Sequence, residues 1–360
     1  MSSDRLEAAR GLLAAAQIDA LVVSRLENLR YLSGFTGSSA ALLITQTDAV
    51  LVTDSRYAEQ SSAESPQFRI EVAAALPAVA AARIARQHGS GIRVGFESEE
   101  VPYAAWEQMR EASDAGGSLL VPCRGLVEGL RVIKSQDELD LIQRAVEITS
   151  LALEETLPLV RPGAIERDLA LEIEFRMKNA GAEDLAFESI VASGPRASLP
   201  HGRASERRVG AGEFVVFDIG SRFRGYHSDM TRTYFTGSPD AREREQYETV
   251  LEAQRRGIEA VKPGVAAKDV DRAARAVIEK AGFGDRFGHG TGHGVGLQIH
   301  EAPRIGARSE EVLAAGMALT IEPGVYLPGD GGVRIEDIVV VTETGRRVLT
   351  PTPKDSWILG

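Results

Sequence analysis

Two stretches of this chain read as β-ribbons too apolar to lie outside a core, and each carries carboxylates inside the apolar run. In the first, Phe214-Val215-Val216-Phe217 leads into Asp218, the turn Arg222-Phe223-Arg224-Gly225 follows, and a second strand carries Asp229. A hairpin centred between Phe223 and Arg224 sets Asp218 directly opposite Asp229, with Cβ atoms ~4.5–5.5 Å apart on one face. In the second, strands over 319–326 and 333–342 flank Pro328-Gly329-Asp330-Gly331-Gly332. A turn centred on Gly329 sets Glu322 opposite Glu336. Like charges directly opposed destabilise a sheet unless something offsets them. A shared proton offsets one pair; a bound cation offsets a pair better.

A glycine-rich segment, Gly288-His289-Gly290-Thr291-Gly292-His293-Gly294-Val295-Gly296, supplies an imidazole to go with these acids. So many glycines exclude a helix and point to a loop whose backbone approaches something closely. No frame of it gives a dinucleotide-binding or Walker fingerprint, and the chain has no H-E-x-x-H or G-x-S-x-G. Four carboxylates and one imidazole suit two divalent ions that accept hard ligands: manganese, cobalt, zinc or iron. Such a pair generates a nucleophile from water and polarises a carbonyl, which is hydrolytic equipment.

The 360 residues favour two domains. The first ~125 residues read as α/β, with strand-like runs at 20–24, 40–45, 50–53 and 92–96 and a capping-box spacing at Asp4 and Glu7. A boundary near 130 divides the chain into domains 1–130 and 131–360. Ser135 and Glu138 make a second capping-box pair, and helices are predicted over 165–179, 243–261 and 267–281. Strands are predicted over 213–219 and 226–235 besides the ribbon at 319–342. The net charge of −11 argues against a nucleic-acid partner and against an anionic membrane surface. The lone Cys123 precludes an intrachain disulfide, and the polar stretch 1–10 is no secretory signal, so a cytoplasmic location is expected.

These segments resemble the pita-bread metallopeptidases: Xaa-Pro aminopeptidases, prolidases and methionine aminopeptidases. The resemblance rests on Phe217-Asp218-Ile219-Gly220, Ser228-Asp229-Met230-Thr231-Arg232-Thr233, the run from His289 to His300, Ile321-Glu322-Pro323-Gly324 and Val333-Arg334-Ile335-Glu336-Asp337. It covers residues 135–350 or so and implies an α+β pita-bread catalytic domain behind the α/β N-terminal one. It implies Asp218, Asp229, His293, Glu322 and Glu336 as ligands of two divalent ions, manganese with cobalt or zinc as alternatives. It implies His201 and His300 as catalytic histidines, Arg334 as the arginine of the proline-specific branch, and Glu322 as a proton handler. His289 takes a supporting role.

Tyr31-Leu32-Ser33-Gly34-Phe35-Thr36-Gly37-Ser38 and Thr53-Asp54-Ser55-Arg56-Tyr57 resemble the creatinase-type N-terminal domain of small bacterial Xaa-Pro aminopeptidases. That domain implies homodimers and short peptides with proline second. The activity implied is an Xaa-Pro aminopeptidase, with prolidase as its rival and a non-catalytic peptide-binding module as a third reading.

Overall fold

The computed structural model describes residues 2–114 and 117–359. The chain divides into two compact units, with the division between Arg131 and Val132.

In the first unit six strands form a single mixed sheet. They are β1 (Ala20–Val23), β2 (Ala40–Thr45), β3 (Ala49–Thr53), β4 (Arg69–Val72), β5 (Arg93–Glu97) and β6 (Leu119–Cys123), in the order β4-β3-β2-β1-β5-β6. β1 runs antiparallel to β2 and parallel to β5. The helices that accompany the sheet are α1 (Ser2–Ala15), α2 (Leu26–Ser33), α3 (Ala58–Glu64), α4 (Pro77–Ala85), α5 (Tyr103–Asp114) and α6 (Leu126–Arg131). The β-branched and leucine runs Leu21–Val23 and Leu42–Ile44 are buried throughout, which is why they read as unbroken apolar strands. Asp4 is not an N-cap: α1 already starts at Ser2, so Asp4 sits in the first turn, where it favours the positive end of the helix. Cys123 is buried and its thiol is pushed up by that burial, as an inert packing residue would be.

The second unit holds helices α7 (Gln136–Thr156), α8 (Glu166–Asn179), α9 (Ala241–Ala260) and α10 (Ala267–Lys280). The capping box at Ser135 is complete: Glu138 N donates to Ser135 Oγ at 3.4 Å, and Ser135 N donates to Glu138 Oε2 at 2.9 Å. A second one, at Asp240 and Glu243, starts α9 two residues before the expected position. No helix among the described residues is long and apolar enough to cross a membrane.

The strands of this unit are β7 (Asp184–Leu185), β8 (Ile190–Ser193), β9 (Phe214–Ile219), β10 (Ser221–Phe223), β11 (Tyr226–His227), β12 (Met230–Thr236), β13 (Gly292–Gly294), β14 (Glu301–Ile305), β15 (Ala318–Ile321), β16 (Gly324–Leu327), β17 (Gly331–Arg334), β18 (Asp337–Val341), β19 (Arg346–Val348) and β20 (Ile358–Leu359). They form sheets ordered β20-β12-β9-β8, β14-β13-β15-β18-β19, β11-β10-β7 and β16-β17. Three stretches read from sequence as continuous strands are interrupted, each at an acid. Asp229 lies between β11 and β12, Glu322 between β15 and β16, and Glu336 between β17 and β18.

The two hairpins differ in how well their turns advertise themselves. Around Gly329 the expected register holds: Gly324 pairs Arg334 and Val325 pairs Val333, and beyond the interruption Ile321 pairs Asp337 in the same register. The other hairpin is displaced by two residues. Arg224 and Gly225 both take positive φ (47° and 83°), the geometry of a two-residue type I′ turn, so Phe223 pairs Tyr226. Asp218 therefore pairs Thr231, and Asp229 lies two residues short of that partner, diagonal to Asp218 instead of opposite it.

Candidate metal centre

The five expected ligands are delivered by four local devices. Asp218 is the penultimate residue of β9, after four buried apolar positions. Asp229 sits where the chain leaves the three-stranded sheet for β12. Glu322 and Glu336 occupy the joint at which one ribbon passes from the five-stranded sheet into the β16–β17 pair. Freed from the ladder, their backbone N–H groups bond elsewhere: Glu322 to Thr291 O at 2.8 Å and Glu336 to Thr231 O at 3.1 Å. His293 lies in β13, and Gly292 beside it is required because a Cβ there would run into the Thr320 carbonyl.

One ligand atom from each of Asp229, His293 and Glu336 lies within 4.8 Å of the other two. His293 Nε2 is 3.5 Å from Asp229 Oδ2 and 3.3 Å from Glu322 Oε1. Asp218 adjoins them closely enough for its charge to raise Asp229, Glu322 and Glu336, and its Oδ2 accepts from Arg334 Nη2 at 2.6 Å. The structure thus gathers all five. His300 stands at the rim, exposed, its ring edge-on to His293 at 4.3 Å between centroids. His201 is exposed in the loop before β9, near enough for its charge to pull Glu322 and His300 downward.

Burial is the main force on the acids: it raises Asp229 and Glu336 well above the carboxylate range and Glu322 to about 7. Mutual repulsion adds to this, with Asp218 and Glu322 acting on Asp229, and Asp229 acting on Glu336. Burial also lowers His293, keeping it neutral. Its Nδ1 lies 3.0 Å from Gly294 O, which can only accept, so the proton belongs on Nδ1 and the Nε2 lone pair faces two carboxylates. Asp218 Oδ1 is buried with no hydrogen-bond partner. An orphaned oxygen, an imidazole lone pair and repelling carboxylates are a donor set short of positive charge, and divalent ions fit it.

Several supporting residues were not read from the sequence. Thr231 Oγ1 accepts from Arg334 Nε at 3.1 Å and donates to Glu336 Oε2 at 2.8 Å. Thr320 Oγ1 likewise accepts from His293 N at 3.1 Å and donates to Glu322 Oε1 at 3.2 Å. Arg334 Nη1 donates to Tyr326 Oη at 2.9 Å, which lies 2.9 Å from His289 Nε2. Burial lowers His289 to about 4, and its Nδ1 faces Gly290 O, so Tyr326 donates to Nε2. From α10, Asp271 accepts from Thr291 N at 3.2 Å and Oγ1 at 2.8 Å, while Arg275 donates to His289 O at 2.7 Å. The signal for Tyr326 lay in the correct register: it is diagonal to Arg334 across the β16–β17 ladder.

Known proteins share this arrangement of sequence and fold. The pattern of metallopeptidase family M24 matches residues 140–343, and that of the creatinase/prolidase N-terminal domain matches residues 5–133. The chain belongs to metallopeptidase family M24. Its second unit is the pita-bread catalytic fold of that family, which employs divalent metal ions, and its first is the creatinase-type domain. A solved structure of an Xaa-Pro dipeptidase from Bacillus anthracis matches at a TM-score of 0.96 and 40% identity, covering 100% of both chains. An Xaa-Pro dipeptidase of Pyrococcus horikoshii is 38% identical over 94% of each chain. A solved X-Pro aminopeptidase from Thermotoga maritima matches at a TM-score of 0.87 and 34% identity, covering 95% of this chain and 98% of its own.

The raised carboxylates of this M24 centre make a stability prediction. In the folded, metal-free protein they hold protons that the unfolded chain has already released, so their contribution is complete below the ordinary carboxylate range. It is lost as pH rises through Glu322's value of about 7. That shift alone corresponds to at most about 3 kcal/mol. Chelator-treated protein is expected to melt several degrees lower at about pH 8 than at about pH 5.5, with metal-loaded protein losing less. Equal pH slopes in thermal unfolding with and without metal would contradict this account.

Proposed function

We propose that this M24 enzyme is a two-metal exopeptidase that hydrolyses the bond between a first residue and a following proline. The observation that carries the reading is the convergence of Asp229, His293 and Glu336 within 4.8 Å, with Glu322 and Asp218 adjoining. Those five residues would hold two divalent ions, manganese or else cobalt or zinc, supplying an activated water and a polarised carbonyl. His201 and His300, both exposed, are the side chains we assign to the developing oxyanion. The proline nitrogen is a tertiary amide and must receive a proton to leave. A carboxylate of the centre or one of these histidines returns it, and Glu322 is the carboxylate we assign to that role. Arg334, locked by Thr231, Tyr326 and Asp218, fixes the wall beside the scissile bond.

The aminopeptidase reading meets its rival here. The relatives at 38% and 40% identity are Xaa-Pro dipeptidases, which supports a strict dipeptidase at least as well. A peptide-length series decides between them, assayed with manganese, cobalt and zinc separately. Cleavage of Gly-Pro but not of a longer Xaa-Pro-Pro peptide marks a dipeptidase, and the converse an aminopeptidase. Turnover of neither with any metal would sink the whole proposal. We further assign residues 1–130 and 131–360 as the functional domains, a homodimer as the working form and the cytoplasm as its location, which the lone Cys123 suits.

A further inference from the structure

The loop that carries His201 leaves β8 at Ser193 and returns toward β9 past Ser205. His201 itself is exposed, and nothing in its own side-chain packing explains how it is aimed. What fixes the loop is a carboxylate outside it. Glu166, the first residue of α8, is fully buried at 0% exposure. Its Oε1 accepts from Ser193 N at 2.7 Å and Ser193 Oγ at 2.8 Å. Its Oε2 accepts from Ser205 N at 3.1 Å, Ser205 Oγ at 2.6 Å and Arg196 Nε at 3.1 Å. Both ends of the His201 loop are therefore pinned to the two oxygens of one side chain, and its short 3-10 turn (Gly194–Ser198) is pinned through Arg196.

The far side of the loop is seated on the metal-site ribbon. Arg334 Nη1 donates to Pro200 O at 3.2 Å, one residue from His201. Gly332 of β17 lies so close beneath Ala197 that a Cβ there would run into the Ala197 carbonyl. At the tip, Gly202 N donates to Leu199 O at 3.0 Å, closing a tight turn with Pro200 and His201 at its centre. Between seat and clasp the backbone around His201 has little freedom.

We infer that Glu166 is a positioning residue for His201, clasping both ends of its loop so that the imidazole is aimed at the scissile bond. This rests on the reading of His201 given above. The chemistry is sharply testable because glutamine is the wrong isostere. Each carboxylate oxygen accepts a backbone N–H, so in Glu166→Gln the new amide presents its NH2 to a backbone donor whichever way it turns. Aspartate keeps two accepting oxygens.

The test uses the full-length, metal-loaded enzyme. His201→Ala is expected to lower kcat/KM on an Xaa-Pro peptide ~100-fold or more. Glu166→Gln is expected to cost ~10–100-fold with bound metal unchanged, falling mainly on kcat, and Glu166→Asp to recover most of that loss. In the His201→Ala background Glu166→Gln should cost less than about 2-fold more. Amide exchange should rise over residues 194–205 and not in the strands bearing the ligands. Full multiplication of the two losses, or unchanged exchange in the loop, would overturn the inference. If His201→Ala retains full activity while loop exchange still responds to Glu166→Gln, the reading of His201 fails and the clasp stands as architecture alone. Should Glu166→Gln fail to fold, Ser205→Ala carries the same cycle with an expected loss of about 3-fold, and its additivity with His201→Ala would refute the role.

Discussion

Asp229→Ala is expected to leave less than about a thousandth of wild-type turnover, equivalent to about 4 kcal/mol or more of lost transition-state stabilisation. The same variant should fail to retain a full complement of metal. Asp229 is buried, and its Oδ2 lies 3.5 Å from His293 Nε2 in the group it forms with His293 and Glu336. A second signature separates this from ordinary destabilisation. Burial and the Asp218 charge both penalise the Asp229 carboxylate, so its removal relieves the metal-free protein. Metal-free Asp229→Ala should melt no lower than metal-free wild type at neutral pH, while the rise in melting temperature on adding metal is largely lost. Metal content by elemental analysis, turnover and paired melts together decide it. A variant that holds two ions and hydrolyses Xaa-Pro peptides normally would remove Asp229 from the centre.

The largest stability loss is expected on the other side of the same strands. Asp337→Ala should destabilise the protein by about 3–5 kcal/mol. Asp337 and Arg232 are buried together, with Arg232 Nη2 donating to Asp337 Oδ1 at 2.7 Å. Lys354 pairs with the other carboxylate oxygen, which also accepts from Gln254 at 2.8 Å. Burial opposes the Asp337 charge, but Arg232 and Lys354 outweigh it and hold the carboxyl below its ordinary value. The alanine variant strands a cation that has almost no solvent to turn to. Its effect should reach metal binding as well, because Arg232 Nη1 donates to the backbone carbonyl of Glu336, a proposed ligand, at 2.6 Å. Urea unfolding should show a lower midpoint with an unchanged slope. A loss under about 1 kcal/mol would mean that the pair contributes far less than its burial implies.

The contrast between the two hairpins shows where sequence carries information and where it does not. Gly329 marks the centre of its turn, since a positive φ of 82° favours glycine, and the register of the whole ribbon follows. In the other hairpin the first positive-φ position is Arg224, a residue type with no preference for it, and a centre read from the residues alone falls one position early. The consequence stays mild because the register error is two residues, which preserves the face that each side chain occupies. The interruption at Glu322 is signalled by Pro323-Gly324 directly after it, whereas those at Asp229 and Glu336 have no glycine or proline nearby to mark them. The capping box at Ser135 is legible because both partners are local, whereas Asp4 has the same spacing without the helix start. The five residues proposed as ligands are found through motif resemblance. Their supports are not, because Thr231, Asp271 and Glu166 act across 105, 20 and 27 positions of chain, with nothing local to mark them.

The strand β20 closes against β12, with Ile358 beside Phe235, while Thr352 and Lys354 engage Arg232 and Asp337 behind Glu336. A chain emerging from the ribosome can complete the α/β half early, since its sheet contacts are all among residues 20–123. The metal centre has no such early stage. Glu336 is backed by Arg232, which with Asp337 is held in turn by residues 352–354, made after all five proposed ligands. A nascent chain halted before Thr352 would carry all five proposed ligands but not the support behind Glu336.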